Sequence, residues 1–231
     1  MNILITGASR GIGRELALKF SNNPENKIFT ISRSLKHLES LYREAVHHNI
    51  SIKSADINEL SKEPEKLLKL ARKEFNTLDI LINNAGTLIP KPFTDMTHEE
   101  DEAILATNFL SPMWIIRALL PIISQEGHIV NISSMSGYQG SSKYAGLSVY
   151  GAAKGALSIL GESLAAEFGR GGPSINSLSL GAAQTEMLEK AFPGYNAPLK
   201  ADEMADFIYW FALNGNNYFN GQNIPVALGN P

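Results

Sequence analysis

Asn2-Ile3-Leu4-Ile5-Thr6-Gly7-Ala8-Ser9-Arg10-Gly11-Ile12-Gly13 is the stretch that decides the fold. Asn2 to Thr6 reads as a strand, and Ile12 to Ser21 follows as an amphipathic helix. Gly7, Gly11 and Gly13 fill the turn between them. Without side chains they permit a sharp turn and let a ligand approach the backbone. The helix N-terminus then offers free N–H groups and a positive dipole end, which suit a phosphate. The spacing is Gly-x-x-x-Gly-x-Gly, not Gly-x-Gly-x-x-Gly. Alone it also fits a ligand-free strand–helix turn; the flanking strand and helix favour a dinucleotide site.

Outward from this turn, apolar runs alternate with helical patterns to the end of the chain. The strands expected are Asn2 to Thr6, Lys27 to Ser32, Ser51 to Ala55, Asp79 to Asn83, His128 to Ser133, Ser174 to Leu180 and Asn223 to Ala227. Most are continuous Ile/Leu/Val runs, the pattern of strands buried on both faces. The helices expected are Ile12 to Ser21, Leu35 to His47, Glu63 to Phe75, His98 to Ile123, Val149 to Phe168 and Ala201 to Asn214. This alternation predicts one α/β domain over residues 1–231, with a parallel sheet of about seven strands covered on both faces. Pro225 cannot donate to a ladder, so the last strand is expected at the sheet edge. Ala182 to Leu199 has weak periodicity and carries Pro193, Gly194 and Pro198, as a functional lid does. The Lys/Glu-rich stretch Glu63 to Lys73 reads as a solvated helix face.

Composition narrows the function. The net charge of -3 gives no reason to expect a nucleic-acid or anionic-membrane partner. With no cysteine, disulfides, thiol nucleophiles and cysteine metal sites are excluded. No apolar run is expected to span a bilayer, and no signal peptide precedes the first strand, so a cytoplasmic location is expected. His128, His47 and His48 show no ligand spacing with carboxylates and read as structural or exposed.

About twenty residues beyond such a glycine turn, an NAD site places a carboxylate against the ribose 2′-hydroxyl. Here Ser32-Arg33 ends the second strand. No carboxylate would repel a 2′-phosphate, and a guanidinium can grip one in a forked contact. Arg10 adds a second cation. NADP(H) is therefore the expected cofactor, with NAD(H) possible; the alternative is that Arg33 is an exposed loop arginine. Asp56, before Ile57, either meets an adenine edge or caps a turn. Asn83-Asn84-Ala85-Gly86 ends the fourth strand: Ala85 and Gly86 let a ribose lie close, and Asn83 suits a buried structural role.

Tyr150-Gly151-Ala152-Ala153-Lys154 lies downstream. Four residues apart on a helix, Tyr150 and Lys154 share one face. A cation there favours phenolate and is expected to pull the phenol below its ordinary pKa of about 10. Such a group is a general acid or base for carbonyl and alcohol chemistry. Taken alone, the pair is also a common surface arrangement.

With these residues in view, the chain resembles the classical short-chain dehydrogenase/reductase family. The matches are Thr6 to Gly13, Asp56, Asn83 to Gly86, Asn108, Ser133-Ser134, Tyr150 to Lys154 and Thr185. The resemblance implies a Rossmann-type doubly wound sheet and hydride transfer between NAD(P)(H) and a small carbonyl or alcohol substrate. It implies Tyr150 as general acid and base, and Lys154 lowering its pKa and binding the nicotinamide ribose. Ser134 would hold the substrate oxygen, and Asn108 would position a water leading toward Lys154. The cofactor residues it implies are Gly7, Ser9, Arg10, Gly11, Ile12, Gly13, Ser32, Arg33, Asp56, Ile57, Asn84, Ala85, Gly86, Lys154, Gly181, Ala183 and Thr185, with Thr185 anchoring the carboxamide. It also implies a homodimer or homotetramer.

Three departures stand out. The connection Met135 to Val149 is a few residues longer than in the family and carries Tyr138, Ser141, Ser142, Lys143 and Tyr144. Leu180-Gly181 replaces the family's Pro-Gly, which is expected to loosen the backbone of the nicotinamide pocket. The end Leu228-Gly229-Asn230-Pro231 lacks the acidic residue often found there in relatives. Leu88, Tyr138, Tyr144, Met187, Leu188, Phe192 and Tyr195 are candidates for a substrate pocket, with a 3-oxoacyl thioester, a small cyclic ketone and a modified sugar all open. A rival function is a non-catalytic NADP(H) sensor or interaction protein, which would have lost Tyr150, Lys154 or Ser134. An extended-branch epimerase or dehydratase needs a substrate subdomain that 231 residues do not easily supply.

Overall fold

The computed structural model describes residues 1–228; Gly229, Asn230 and Pro231, at the end that lacks the acidic residue of relatives, lie outside the described residues. The strands are β1 (Asn2–Thr6), β2 (Lys27–Ser32), β3 (Ile50–Ser54), β4 (Leu78–Asn83), β5 (Ile123–Ser134), β6 (Ser174–Leu180), β7 (Ala183–Gln184), β8 (Leu199–Lys200) and β9 (Asn223–Val226). The helices are α1 (Gly11–Ser21), α2 (Leu35–Glu44), α3 (Ile57–Leu60), α4 (Pro64–Glu74), α5 (His98–Leu105), α6 (Ser111–Leu119), α7 (Ser148–Phe168), α8 (Glu186–Ala191) and α9 (Ala201–Asn214).

Seven strands form one sheet in the order β3-β2-β1-β4-β5-β6-β9, and every pairing is parallel. The central strands are sealed on both faces because their residues are almost all apolar: Ile3, Leu4 and Ile5 are 0% exposed. Ile3 and Ile5 face a core that includes Leu16, Phe20, Ile208 and Phe211 of α1 and α9. Leu4 faces the other core, with Leu67, Ile115, Leu119 and Ala165 of α4, α6 and α7. The strand order reverses between β1 and β4, which opens a crevice at the carboxyl ends of these strands, where open α/β sheets bind ligands. Pro225 lies on the edge strand β9, opposite Ser179, as expected.

Several boundaries differ from the sequence expectation. The helix expected over His98 to Ile123 is divided: α5 runs into a π-turn at Ala106–Leu110 before α6. Within it the Asn108 side chain donates to Ile104 O at 2.9 Å, and Pro112 just beyond has no N–H to continue an α ladder. By length and apolarity His98–Ile122 meets the measure of a membrane span, contrary to expectation. In this fold its Ile104, Ile115, Ile116 and Leu119 are buried in the protein. Ala182 to Leu199, weakly periodic in sequence, holds α8 and pairs β7 with β8 in a small parallel sheet. The replaced proline leaves a tied segment, with the Gly181 N–H donating to Val226 O at 2.9 Å.

His128 is buried where β5 and β6 meet α9. Its Nδ1 lies 3.1 Å from Ala212 O and its Nε2 3.0 Å from Asn176 Nδ2. Because the carbonyl can only accept, Nδ1 carries the proton, and Nε2 accepts from the amide. Burial pushes the imidazole pKa down to about 4, against a smaller upward pull from the Ala212 carbonyl. A depressed folded pKa means that protons bind the unfolded chain better. This contribution is complete above the unfolded pKa of about 6.5 and is lost as pH falls toward 4. We expect His128 to account for roughly 3 kcal/mol of the stability lost over that window. Urea unfolding of wild type and His128→Asn between pH 7.5 and 4.5 checks it: equal pH slopes would contradict the assignment.

Candidate active site

The ends of β1, β2, β4, β5 and β6 border one cavity of about 690 Å³. Its floor is the glycine turn. Gly7 (φ +73°) and Gly11 (φ +54°) adopt backbone conformations that side chains disfavour. A Cβ on Gly13 would lie 2.3 Å from Asn84 Nδ2 and 2.6 Å from Gly7 O. The turn is lashed to the end of β4: Thr6 Oγ1 accepts from the N–H groups of Asn84 and Ala85 at 3.1 and 3.0 Å. Asn84 Nδ2 donates to Thr6 O and Gly7 O at 3.0 and 3.2 Å. Asn84 therefore braces the turn with its side chain while also lining the cavity. Thr6 opens the matched stretch Thr6 to Gly13, but its tying role depends on β1 and β4 being neighbours.

Beyond the turn, Ser32 Oγ donates to Ser9 Oγ at 2.8 Å, joining β2 to the glycine loop. Arg10, Arg33 and Asp56 are exposed and line the cavity on this side. Asp56 also caps α3, accepting from Asn58 N at 2.9 Å. The side-chain-free cradle, the α1 N-terminus and the guanidinium of Arg33 fit a dinucleotide.

At the other end lie Ser134, Tyr150 and Lys154. Three glycines allow this approach. A Cβ on Gly151 would sit 2.7 Å from Ser136 O, and one on Gly137 would sit 2.4 Å from Gly155 N. The turn after Ser134 thus presses directly on α7, one residue from Tyr150. Ser134 Oγ accepts from Ser136 N at 3.1 Å, so it caps this turn as well as facing the cavity. Lys154 is buried, and its Nζ donates to Ile132 O at 2.8 Å. It stands 6.0 Å from the centre of the Tyr150 ring. Ser133 Oγ donates to the Lys154 carbonyl at 2.9 Å.

The electrostatics differ from the sequence expectation. Burial holds the Tyr150 phenol above its ordinary pKa, and only a hydrogen bond with Ser134 pulls the other way. Burial also pushes the Lys154 ammonium down to about 8. The expected depression of the tyrosine is overturned because both groups are desolvated and the Lys154 ammonium is turned to Ile132 O.

Asn108 is the one predicted site residue that does not line the cavity. It is 0% exposed. Its Oδ1 accepts from Thr87 N at 3.2 Å and its Nδ2 donates to Thr87 O at 2.8 Å. Its side chain thus braces the segment after Gly86 and the π-turn, with its Oδ1 3.1 Å from where a Cβ on the cavity-lining Gly86 would stand. Every other residue expected at the site does line it: Gly7, Ser9, Arg10, Gly11, Ile12, Gly13, Ser32, Arg33, Asp56, Ile57, Asn84, Ala85, Gly86, Ser134, Tyr150, Lys154, Gly181, Ala183 and Thr185.

Of the substrate-pocket candidates, Tyr138 stands outside the cavity, whereas Met135, Ser136, Tyr144 and Leu147 of the long connection line it. The long connection is folded around Lys143, whose Nζ donates to Ser136 O at 3.0 Å, Tyr138 O at 2.5 Å and Ser141 Oγ at 2.9 Å. Tyr138 is fixed there by its backbone, outside the pocket wall. A lysine in a polar loop gives no sequence signal for such a role.

The family model described as short chain dehydrogenase matches residues 1–196. An uncharacterized oxidoreductase of Staphylococcus epidermidis is 28% identical over 96% of this chain and 95% of its own. One of Staphylococcus aureus is 25% identical over the same shares. Among solved structures, a short-chain dehydrogenase/reductase described as glucose/ribitol dehydrogenase from Brucella melitensis superposes with a TM-score of 0.87 at 23% identity, covering 97% of this chain and 94% of that one. A short chain dehydrogenase from Burkholderia cenocepacia, solved in complex with NADP, gives 0.85 at 23% identity, with 97% and 95% covered. With the match to the family model extending from β1 through α8, the chain belongs to the short-chain dehydrogenase/reductase family and is an oxidoreductase of that family.

Proposed function

We propose that the protein is an NADP(H)-dependent oxidoreductase that interconverts a carbonyl and an alcohol, with Tyr150 as general acid and base. The observation that carries this is the meeting of Tyr150, Ser134 and Lys154 on the wall of the cavity whose floor is the glycine turn. The α1 N-terminus and the Gly7–Gly13 turn would hold the pyrophosphate, Arg33 and Ser32 the 2′-phosphate, Lys154 the nicotinamide ribose and Thr185 the carboxamide. The bound cofactor supplies or accepts the hydride.

The chain's own part is the proton. In the reductive direction Tyr150 gives its phenolic proton to the carbonyl oxygen, and in the oxidative direction it takes one from the alcohol. Its raised pKa keeps the proton in place at neutral pH, ready for donation. Ser134 Oγ donates to the same oxygen as charge develops there, and the Lys154 ammonium opposes the phenolate left behind. The NADP complex of the Burkholderia relative supports the cofactor assignment. Family members are commonly oligomeric, and a homodimer or homotetramer is proposed here. Exposed Ile159 on α7 and Trp210 on α9 offer apolar surface for it. A cytoplasmic location belongs to the same proposal.

The test is consumption of NADPH and NADH with a panel of neutral ketones and aldehydes. Carbonyl-dependent oxidation with NADPH favoured is expected. NADH favoured would defeat the cofactor assignment, and tight NADPH binding without turnover would defeat the enzymatic one.

A further inference from the structure

The strand order divides the cavity in two. On the β2–β3 side lie Arg33 and Asp56, and Arg10 belongs to the glycine turn. On the β5–β6 side, around Tyr150, the wall is made by Leu88, Leu147, Met187, Leu188, Phe192 and Tyr195. Its nearby polar groups are hydroxyls, those of Ser134, Ser136, Tyr144, Tyr150 and Tyr195. One cation lines this half, Lys154, and its Nζ is buried and committed to Ile132 O. The Glu186 carboxylate is exposed and stands beside the glycine turn instead, its Oε2 3.7 Å from where a Cβ on Gly11 would stand. An anion would therefore enter a largely apolar wall that offers, among the described residues, no cation besides the buried Lys154. A charge buried without a partner is strongly disfavoured, whereas an apolar or aromatic body gains from each surface it covers. A sugar would leave most of its hydroxyls without partners.

We propose that the substrate is a neutral, largely apolar carbonyl compound, such as an aryl or alkyl ketone, and that anionic and polyhydroxylated carbonyls are rejected by this wall. The proposal rests on the oxidoreductase reading and narrows it.

The test compares the same ketone with and without a charge: methyl 4-acetylbenzoate against 4-acetylbenzoate, and methyl acetoacetate against acetoacetate as a smaller pair. Turnover is followed by NADPH oxidation, and binding is measured separately by equilibrium dialysis in the presence of NADPH. The ester is expected to exceed the carboxylate about 50-fold in kcat/KM and in affinity, in both pairs. Met187→Arg, which sets a cation in the wall, is expected to narrow that ratio. Equal handling, preference for the carboxylate, or no binding of either ester overturns the proposal. Ester-selective binding without turnover would uphold it while defeating the oxidoreductase reading.

Discussion

Tyr150→Phe is expected to lower kcat for carbonyl reduction by about 10²–10⁴, the usual contribution of a positioned general acid. The substitution removes one hydroxyl and leaves the ring, so its packing beside Ser134 survives. NADPH affinity should stay at the wild-type value, because the cofactor contacts proposed for the glycine turn, Arg33 and Lys154 are untouched. The pairing of lost turnover with retained binding identifies a proton donor rather than a damaged fold. Single-turnover kinetics with saturating NADPH, alongside fluorescence titration of the cofactor, measures both. Wild-type turnover in the variant would remove Tyr150 from the chemistry.

Arg33→Asp is expected to turn cofactor preference from NADPH to NADH, changing the ratio of the two kcat/KM values by about 10³. Two effects add. Charge-assisted hydrogen bonds to the 2′-phosphate are lost, at about 1.5–3 kcal/mol. A carboxylate is then set against a dianion, which costs more again. The same carboxylate can accept from the ribose hydroxyls of NADH, so NADH efficiency should hold or rise. Arg33 is exposed, and Ser54 Oγ holds its backbone oxygen at 2.9 Å, so the loop has no structural need of the guanidinium. An unchanged ratio would return Arg33 to the status of a loop arginine and shift attention to Arg10.

The alternation of strands and helices was readable because buried parallel strands must be apolar along their whole length. That requirement marks the chain most plainly at β1, β2 and β4, whereas β5 and β6 also bury Asn131, Asn176, Ser177 and Ser179. The glycine turn was readable for a related reason, since a backbone that must come close to another group excludes a Cβ. Elements too short to show a period were missed: α3 spans four residues and α8 six. The π-turn at Ala106–Leu110 has no sequence period of its own: Asn108 bonds both to Ile104 O within the helix and to Thr87 O after β4, and the second partner is set only by the fold. Lys143 was noticed only as part of a long loop. Its work of gathering the oxygens of Ser136, Tyr138 and Ser141 exists only once the loop has closed.

By itself, the sequence determined the fold class, the cofactor turn and the membership of nearly all the site, since each follows from local chemistry: which residues can be buried in a strand, which turns lack a Cβ, which pairs share a helix face. Tertiary structure alone decided the desolvation that raises the Tyr150 pKa, the contacts of Asn108 and which of the apolar candidates meet on the wall facing the phenol. Those depend on desolvation and on neighbours brought from distant parts of the chain. No local pattern encodes how deeply a group is removed from water.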